Sequence, residues 1–279
     1  TGAMGQLGKA IIEQENRDSE IIGFGREDDE TGGTIGMDIA NLESVNRIIS
    51  EVSPDLVINS AALTDVDRCE RNPELAEKIN FRGAENVAIA CSRVGCKMIQ
   101  ISTDYVFDGE SGDYTEEDPV NPIQEYGRSK LKGEMAVSEI LGNDVKVIRT
   151  SVVFGNSSSN FVTWIIGRLK DGENLRIVDD QWVSPTSTKF LASSILAIAE
   201  LPFGGVLNIA SSKKISRIDM AYHIAEIFGL DSELISPTTM KEIEWGAPRP
   251  MDSSLTCSKF GKIGNLADFE RMVEIEFLN

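Results

Sequence analysis

The residues best suited to chemistry are a tyrosine and a lysine four positions apart, Tyr126 and Lys130, in the segment NPIQEYGRSKLKGE. On a helix, positions i and i+4 share one face, so both side chains can address one bound molecule. The hydroxyls of Ser102 and Thr103 lie upstream in ISTDYVFDG. A phenol beside an ammonium can protonate a carbonyl oxygen while a hydride arrives. The pattern indicates carbonyl reduction, with an ordinary amphipathic helix surface as the alternative.

The acidic composition limits the partners of the chain. Of its 279 residues, 45 are Asp or Glu and 27 are Lys or Arg, which gives a formal net charge of −18. Nucleic-acid binders concentrate Lys and Arg, so a nucleic-acid partner is disfavoured. An anionic substrate would need local cations to overcome the overall field. We interpret the acidity as the surface of a cytoplasmic protein.

A metal site and a membrane location are also disfavoured. The four cysteines lack CxxC spacing and are interpreted as reduced thiols. The only histidine, His223, lies in the apolar-periodic stretch MAYHIAEIFG and is expected on a helix surface. The sequence shows neither a signal-peptide pattern nor an apolar run of transmembrane length. We expect a protein with no metal site and no membrane partner.

Strand-like apolar runs alternate with helical patterns over the first half of the chain. This alternation predicts a parallel sheet covered on both faces, the doubly wound α/β architecture of the Rossmann fold. The predicted strands are 20–26, 56–62, 97–103 and 145–153, and the predicted helices are about 41–52, 73–95 and 123–141.

The pattern loosens after about residue 155. We predict a dinucleotide-binding domain over 1–153 and a smaller, interleaved substrate-binding region over 154–279, with some segments returning to the sheet. The elements predicted there are helices at 160–171, 188–201 and 216–228, strands near 175–178 and 207–210, and a polar tail.

A glycine-rich turn opens the chain. In TGAMGQLGKAII, Gly2, Gly5 and Gly8 have GxxGxxG spacing before a helical apolar run. Glycines permit a tight turn and close backbone approach, and a helix N-terminus favours a pyrophosphate. Glycine turns are common, so this match alone is weak. Such a loop needs a strand before it, and because the sequence begins at Thr1 we expect that strand to have been left out.

The ends of the next two predicted strands suggest where a dinucleotide binds. Arg26 in GFGR could pair with the 2′-phosphate of NADP. An acidic run begins at Glu27, so an interpretation of Arg26 as an ordinary solvated surface charge is nearly as good. Small residues at the end of strand 56–62 would admit a nucleotide, or they reflect close packing. The candidate cofactor-binding residues, besides Tyr126 and Lys130, are Gly2, Gly5, Gln6, Leu7, Arg26, Asp38, Ile39, Ala61, Ala62 and Thr64.

Taken in order, these motifs resemble one known family. GxxGxxG, INSAA, STDYVFDG, Tyr-x-x-x-Lys, VDDQ and a late Arg-Pro follow one another along nearly the whole chain. The chain resembles the dTDP-4-dehydrorhamnose reductases, which are extended short-chain dehydrogenases/reductases. The resemblance implies NADPH- or NADH-dependent reduction of a 4-keto nucleotide sugar to dTDP-rhamnose, for polysaccharide biosynthesis.

The resemblance also implies residue roles. Tyr126 would be the proton donor, and Lys130 would bind the nicotinamide ribose and lower the Tyr126 pKa. Thr103, with Ser102 as a substitute, would bind the carbonyl, and Asp104 would touch the sugar. Tyr105 stands where related dehydratases carry Glu, which disfavours elimination.

Two positions depart from the family pattern where substrate is expected to bind. Val152 replaces the usual Trp, and Val183 replaces the usual Gly. For the substrate diphosphate, Arg249 is the best candidate, since an Arg fork matches phosphate geometry. Lys189 and Arg168 are further candidates, and a structural loop role for Arg249 stays open.

Two other functions stay open. One is a non-catalytic NADP-binding regulatory subunit of the methionine adenosyltransferase β type, against which the presence of Thr103, Tyr126 and Lys130 argues without excluding it. The other is an epimerase or dehydratase, disfavoured by Tyr105. A homodimer is the default oligomer for such an enzyme.

We predict that Trp182 stacks on the substrate and replaces the indole absent at position 152, because an aromatic face suits sugar C–H groups or a nucleobase. The alternative is a loop Trp packed on the core. Trp182→Ala should therefore raise the Michaelis constant for the nucleotide sugar in steady-state assays. An unchanged Michaelis constant would contradict the stacking role.

Overall fold

The computed structural model describes residues 1–14, 19–27, 34–201 and 204–278. The strands are β1 (Phe24–Gly25), β2 (Ile35–Gly36), β3 (Leu56–Asn59), β4 (Lys97–Thr103), β5 (Val145–Phe154), β6 (Leu175–Val178), β7 (Trp182–Val183), β8 (Pro185–Ser187), β9 (Gly205–Asn208), β10 (Ile215–Ser216) and β11 (Ile235–Thr238). The helices are α1 (Gln6–Ile12), α2 (Leu42–Val52), α3 (Val66–Arg71), α4 (Pro73–Ala76), α5 (Ala84–Val94), α6 (Glu125–Leu141), α7 (Phe161–Lys170), α8 (Thr188–Ala199), α9 (Arg217–Phe228) and α10 (Phe269–Phe277).

The central sheet is parallel and is buried on both faces. β3, β4 and β5 lie side by side, and the long β5 also pairs with β9 along its first half and with β8 along its second. Consecutive residues of β4 contribute to different cores, Met98 to one and Ile99 to the other. Because neighbouring side chains of a strand point to opposite faces, a continuous apolar run can serve both cores. The predicted doubly wound α/β fold is confirmed.

The boundaries of several helices and strands differ from the sequence prediction. The strand predicted at 20–26 is only Phe24–Gly25, and the strand predicted at 56–62 ends at Asn59. The helix predicted over 73–95 includes one π-helical stretch, Glu77–Gly83, and ends as expected with Gly95 in the left-handed conformation. The tail predicted to be merely polar contains β11 and α10.

The first two strands are set apart from the central sheet. Among the described residues, β1 and β2 pair only with each other. A groove of about 640 Å³ lies between them and β3, with Phe24 on one wall and Leu56 on the other. In the described part of the chain, no helix combines the length and apolarity that crossing a bilayer requires.

Helix α6 approaches its neighbours closely enough to need glycine at two points. A Cβ on Gly127 would overlap the carbonyl oxygen of Tyr105, and a Cβ on Gly133 would lie 2.5 Å from the carbonyl oxygen of Asn80. Backbone therefore touches backbone on both sides of the helix, which fixes its height above the end of β4.

We predict that Gly127→Ala lowers the free energy of unfolding by about 1–3 kcal/mol, because the added methyl must displace backbone rather than a flexible side chain. Urea unfolding followed by circular dichroism measures this. Gly167→Ala is the matched control, since Gly167 is also helical and a Cβ there meets nothing within 4 Å. That control should be neutral or stabilising by up to about 1 kcal/mol; equal losses in the two variants would contradict the close-approach argument.

Candidate active site

The carboxyl end of β4 and the first turns of α6 form the centre of the site. Thr103 is the last residue of β4. The side chain of Gln124 caps α6 by accepting a hydrogen bond from the Gly127 N–H. One turn of this helix presents Tyr126, whose ring meets that of Tyr105 edge to face at 6.0 Å between centroids. The predicted meeting of strand end, phenol and lysine is therefore present in the structure.

The phenol of Tyr126 is held in its protonated form. Burial raises the pKa of Tyr126, and a hydrogen bond with the Thr103 hydroxyl acts in the opposite direction. The charge of the neighbouring Asp104 raises it further. Burial is the largest influence on the group, so the net shift of the Tyr126 pKa is upward; the lowering expected from the charge of Lys130 stays a prediction.

Lys130 lies under the site with its ammonium directed at β4. The side chain is 4% exposed, and its Nζ donates to the carbonyl oxygen of Ile101 at 2.6 Å. Burial lowers the pKa of Lys130 to about 8, and the charge of Glu134 acts against that lowering. The predicted bond from Lys130 to a nicotinamide ribose stays a prediction.

A buried ion pair lies one helical turn beyond Lys130. The carboxylate of Glu134 accepts hydrogen bonds from Nε and Nη2 of Arg149 on β5, the latter at 2.7 Å. Both side chains are about 5% exposed. Tyr126, Lys130 and Glu134 therefore follow one another at four-residue intervals on a single helix face.

Asp104 is enclosed by hydroxyl groups. It is 2% exposed, and its two oxygens accept hydrogen bonds from Thr103, Ser151 and Ser253. Burial raises the pKa of Asp104, and these hydrogen bonds lower it. Its carboxylate joins β4, β5 and the segment around Ser253, and the expected contact of Asp104 with a sugar stays a prediction. Nearby, Ser102 is buried and its hydroxyl has no hydrogen-bond partner within the described residues.

The glycine turn lies against the end of β3. Gly2 has a positive φ of 75°, and a Cβ there would lie 2.7 Å from the Ala61 nitrogen. The Gln6 amide donates to the carbonyl oxygen of Val153 on β5, whereas the side chain of Leu7 is buried in the core. The side chain of Gln6 therefore lies at the end of β5, and the side chain of Leu7 does not.

The other candidate cofactor residues occupy different surroundings. Arg26 is 80% exposed beside Glu27, and Asp38 is exposed with its carboxylate accepting from the Ala40 N–H. Ile39 is buried, and its carbonyl oxygen accepts from Asn86. Three residues follow β3 in sequence, of which the first two are partly buried and the last is exposed: Ala61, Ala62 and Thr64.

Asn80 is a site residue that sequence reasoning missed. It lies in the π-helical stretch, is 2% exposed, and exchanges hydrogen bonds with the backbone of Leu63. Its amide also donates to Ser129 on α6. Asn80 thus ties the loop after β3 to the helix that carries Tyr126. No sequence signal marks Asn80, because the stretch EKINFRG around it is itself rich in polar and charged residues.

The two positions that depart from the family pattern are structurally distinct. Val152 has a positive φ of 41° at a register shift between β5 and β8, a strained conformation for a β-branched residue. Val183 is fully buried in the core. Trp182 is 37% exposed, with the Lys214 ammonium 5.9 Å from its ring centroid. Its stacking on a substrate stays a prediction.

The three predicted phosphate-binding cations have different environments. Arg249 pairs with Asp67 at 2.8 Å and lies over the ring of Trp245. Lys189 donates to the carbonyl oxygen of Ile275 on α10, and Arg168 forms an exposed pair with Glu173. All three cations have partners within the protein, and phosphate binding by any of them stays a prediction.

Arg217 is a second residue that sequence reasoning missed. It is the first residue of α9, and its Nε donates to the Gln181 side chain at 3.1 Å. Burial lowers the pKa of Arg217, while Tyr105 and Asp104 raise it. A cation at the N-terminus of a helix opposes the helix dipole, and this conflict was a usable signal.

The other reactive side chains have these surroundings. Within the described ranges, no group of three or more His, Cys, Asp and Glu side chains could hold a metal ion. His223 lies on the surface of α9 beside Glu270, as predicted for a helix-surface residue. The four cysteines are free and buried.

We predict that Lys130→Met stabilises the fold by roughly 1–3 kcal/mol at pH 7, because burial of the ammonium opposes folding. The folded pKa, about 8, lies below the ordinary 10.5, so the penalty is complete below pH 8 and disappears as pH rises through 10.5. Thermal unfolding of wild type and variant at pH 7 and above pH 10 measures the shrinking difference. The exposed Lys132→Met on the same helix is the control, and an equal gain there would contradict the burial argument.

Comparisons with known proteins agree with this geometry. The family model described as "RmlD substrate binding domain" matches residues 1–274. The chain is 37% identical over 258 residues to the spore coat polysaccharide biosynthesis protein SpsK of Bacillus subtilis, covering 92% of this chain and 87% of that protein. It is 36% identical over 275 residues to dTDP-4-dehydrorhamnose reductase of Mycobacterium tuberculosis, covering 95% and 86%.

The chain is also similar in fold to a solved structure. The dTDP-4-dehydrorhamnose reductase of Bacillus anthracis, in complex with NADP, superposes with a TM-score of 0.91 at 31% identity, over 99% of this chain and 96% of that one. The match extends over both halves of the chain, the second of which carries Gln181, Arg217 and Arg249. The chain belongs to the RmlD family, that of the dTDP-4-dehydrorhamnose reductases.

Proposed function

We propose that the protein reduces the keto group of a dTDP-4-keto-6-deoxy sugar with NADPH, in the synthesis of a deoxysugar for polysaccharide. The chain is an oxidoreductase by family, and its relatives include enzymes named for this reaction. The observation that carries the proposal is the joining of Thr103, Tyr126 and Lys130 at one strand end. Those three groups are what carbonyl reduction requires from the protein.

The residues present fit a dinucleotide at this edge of the sheet. The positive φ of Gly2 and its contact with β3 leave no room for a side chain, so backbone can approach a pyrophosphate. We propose that Gly2, Gly5 and Gln6 hold the pyrophosphate and that the exposed Arg26 binds a 2′-phosphate, which favours NADPH over NADH. The other proposed contacts are Leu7 through its backbone, Asp38, Ile39, Ala61, Ala62 and Thr64.

When bound, the nicotinamide supplies the hydride. Tyr126 keeps its proton at neutral pH because burial raises its pKa, so the phenol can deliver that proton to the oxygen that becomes the alcohol. The Thr103 hydroxyl, which donates to Asp104, would redirect that hydrogen bond to the same oxygen, and Lys130 would supply a positive charge near the phenol. Tyr105 provides no carboxylate for elimination, so the reaction ends at reduction.

The remaining proposals concern organisation. We place the dinucleotide-binding part in residues 1–153 and most of the substrate-binding part in 154–279, supported by the return of β8 and β9 to β5. A cytoplasmic location fits a nucleotide-sugar substrate. A homodimer is proposed because two-fold dimers are the commonest oligomers, and sedimentation would test it against the chain mass of 30.5 kDa.

We predict that Tyr126→Phe lowers kcat by about 10²–10⁴-fold, because removing the hydroxyl removes the proton donor. NADPH oxidation in the presence of a dTDP-4-keto-6-deoxy sugar measures this. Cofactor binding, followed by nicotinamide fluorescence, should persist in the variant. Tyr222→Phe is the matched control, because Tyr222 is exposed on α9, and it should leave kcat unchanged.

The same assay separates the two functions that the sequence left open. Turnover by wild type that depends on Tyr126 supports the reductase. NADPH binding without turnover by the wild-type protein would contradict it and favour a non-catalytic binding subunit.

A further inference from the structure

Two side-chain amides form a buried hydrogen-bonded path from the glycine turn to the backbone that Lys130 contacts. The Thr1 hydroxyl donates to the amide oxygen of Asn59 at 2.6 Å, and the Asn59 amide donates to that of Gln100 at 2.7 Å. The Gln100 amide donates in turn to the Ile101 carbonyl oxygen at 2.9 Å. Asn59 and Gln100 form an amide pair, because they lie directly opposite each other on β3 and β4 and both are buried.

The Ile101 carbonyl oxygen accepts from two side chains at once. One donor is Gln100, and the other is the Lys130 Nζ at 2.6 Å. The last residue pair of β3 with β4 precedes Ile101, so side chains supply hydrogen bonds at a point where the neighbouring strand has ended. A carbonyl oxygen has two lone pairs, and each donor takes one of them. Gln100 therefore limits Lys130 to one side of this oxygen.

Asn59 decides which end of the Gln100 amide faces Ile101. A side-chain amide has an oxygen that accepts and a nitrogen that donates. Turning the Gln100 amide over would set its NH2 group against the Asn59 NH2 group and its oxygen against the Ile101 oxygen. Both contacts would be repulsive, and both would leave buried polar groups unpaired. The amide orientation is therefore fixed, and Gln100 is a permanent donor at Ile101.

The Lys130 side chain is long, and its ammonium can bond in several directions. Lysine has a flexible four-carbon stem and three rotatable N–H donors. In the part of the chain that the structure describes, the Ile101 oxygen is the acceptor bonded to Lys130, which leaves two N–H groups for a ligand. Confining the ammonium to one side of Ile101 fixes where those groups lie, so less entropy is lost when a ligand binds them.

We propose that Gln100, oriented by Asn59, is a positioning residue for Lys130: it holds the ammonium on one side of the Ile101 oxygen, with two N–H groups set for the hydroxyl groups of a bound dinucleotide. The inference rests on the proposed binding of NADPH and extends it to two residues buried within the sheet. Because the Thr1 hydroxyl bonds to Asn59, the same path joins the glycine turn to the lysine.

The first experiment tests the shared oxygen in the protein alone. Urea unfolding is followed by circular dichroism for wild type, Gln100→Met, Lys130→Met and the double variant. Each single variant leaves the Ile101 oxygen with one donor, whereas the double variant leaves it buried with neither. The unfolding equilibrium constant of the double variant should therefore exceed the product of the single effects by about five- to a hundredfold. In the control cycle the exposed Lys132→Met replaces Lys130→Met, and the two effects should multiply without excess.

The second experiment measures NADPH binding by nicotinamide fluorescence, without sugar and without turnover. Gln100→Met should weaken binding by about three- to tenfold, the range for ordering one long side chain on binding. In the Lys130→Met background the same substitution should change the affinity by less than about 1.5-fold, because the side chain that Gln100 positions is gone. Asn59→Leu should act in the same direction in wild type and lose its effect in that background. It tests the amide pair where Gln100→Met does not fold.

Two results would overturn the inference. One is an unfolding cycle without excess, which would show that Gln100 and Lys130 do not share the Ile101 oxygen. The other is a loss of NADPH affinity that is the same with and without Lys130, or no loss at all, which would give Gln100 a merely structural role. Turnover separates these failures from failure of the proposed function. A protein that shows both couplings but never oxidises NADPH with a keto sugar would contradict the proposed reduction alone.

Discussion

The contact between α6 and the end of β4 is the constraint on which the site depends. The Lys130 ammonium reaches the Ile101 carbonyl, and Gly127 lies against the Tyr105 carbonyl. Both contacts act within one turn of the same helix, so together they set the height and rotation of Tyr126 above Thr103. A buried amine requires an acceptor, and a close backbone approach requires glycine. The phenol is thus positioned by contacts that residues of its own helix make with the backbone beside it.

Burial has opposite consequences for the two titrating groups of that helix. Burial raises the pKa of the Tyr126 phenol, so the phenol stays protonated, and it lowers the pKa of Lys130, so the ammonium loses its proton more easily. Glu134 counteracts the second effect, and Arg149 in turn prevents Glu134 from being an unpaired buried charge. The row from Arg149 to Lys130 therefore favours the charged form of Lys130 one turn from Tyr126 near neutral pH. Burying these charged side chains costs folding free energy, and such costs are expected at active sites, where function needs charge.

The part of this arrangement that is local in sequence could be predicted. Tyr126 and Lys130 share a helix face by spacing alone, and the apolar run 97–103 marks a buried strand. What could not be predicted depends on distant contacts. The contact between Arg217 and Gln181 brings together two segments that no periodicity links. The short strands β7 and β10 form because they pair with each other, and local propensity does not reveal such a pairing. The upward shift of the Tyr126 pKa could not be predicted for the same reason, because burial is a tertiary property.

The residues proposed for chemistry and those proposed for recognition come from different parts of the fold. Thr103, Tyr126 and Lys130 lie on β4 and α6, which Lys130 and Gly127 hold together, whereas Arg249 and Trp182 come from later segments. These segments meet the first half where β5 changes partners from β9 to β8, with the strained Val152 at the register shift. Substitutions in the later segments can alter which substrate is held without disturbing the contact of Lys130 with β4. Val152, in β5, and Val183, in β7, both lie close to that change of partners. The predicted departures from the family pattern therefore fall where the two halves of the chain meet.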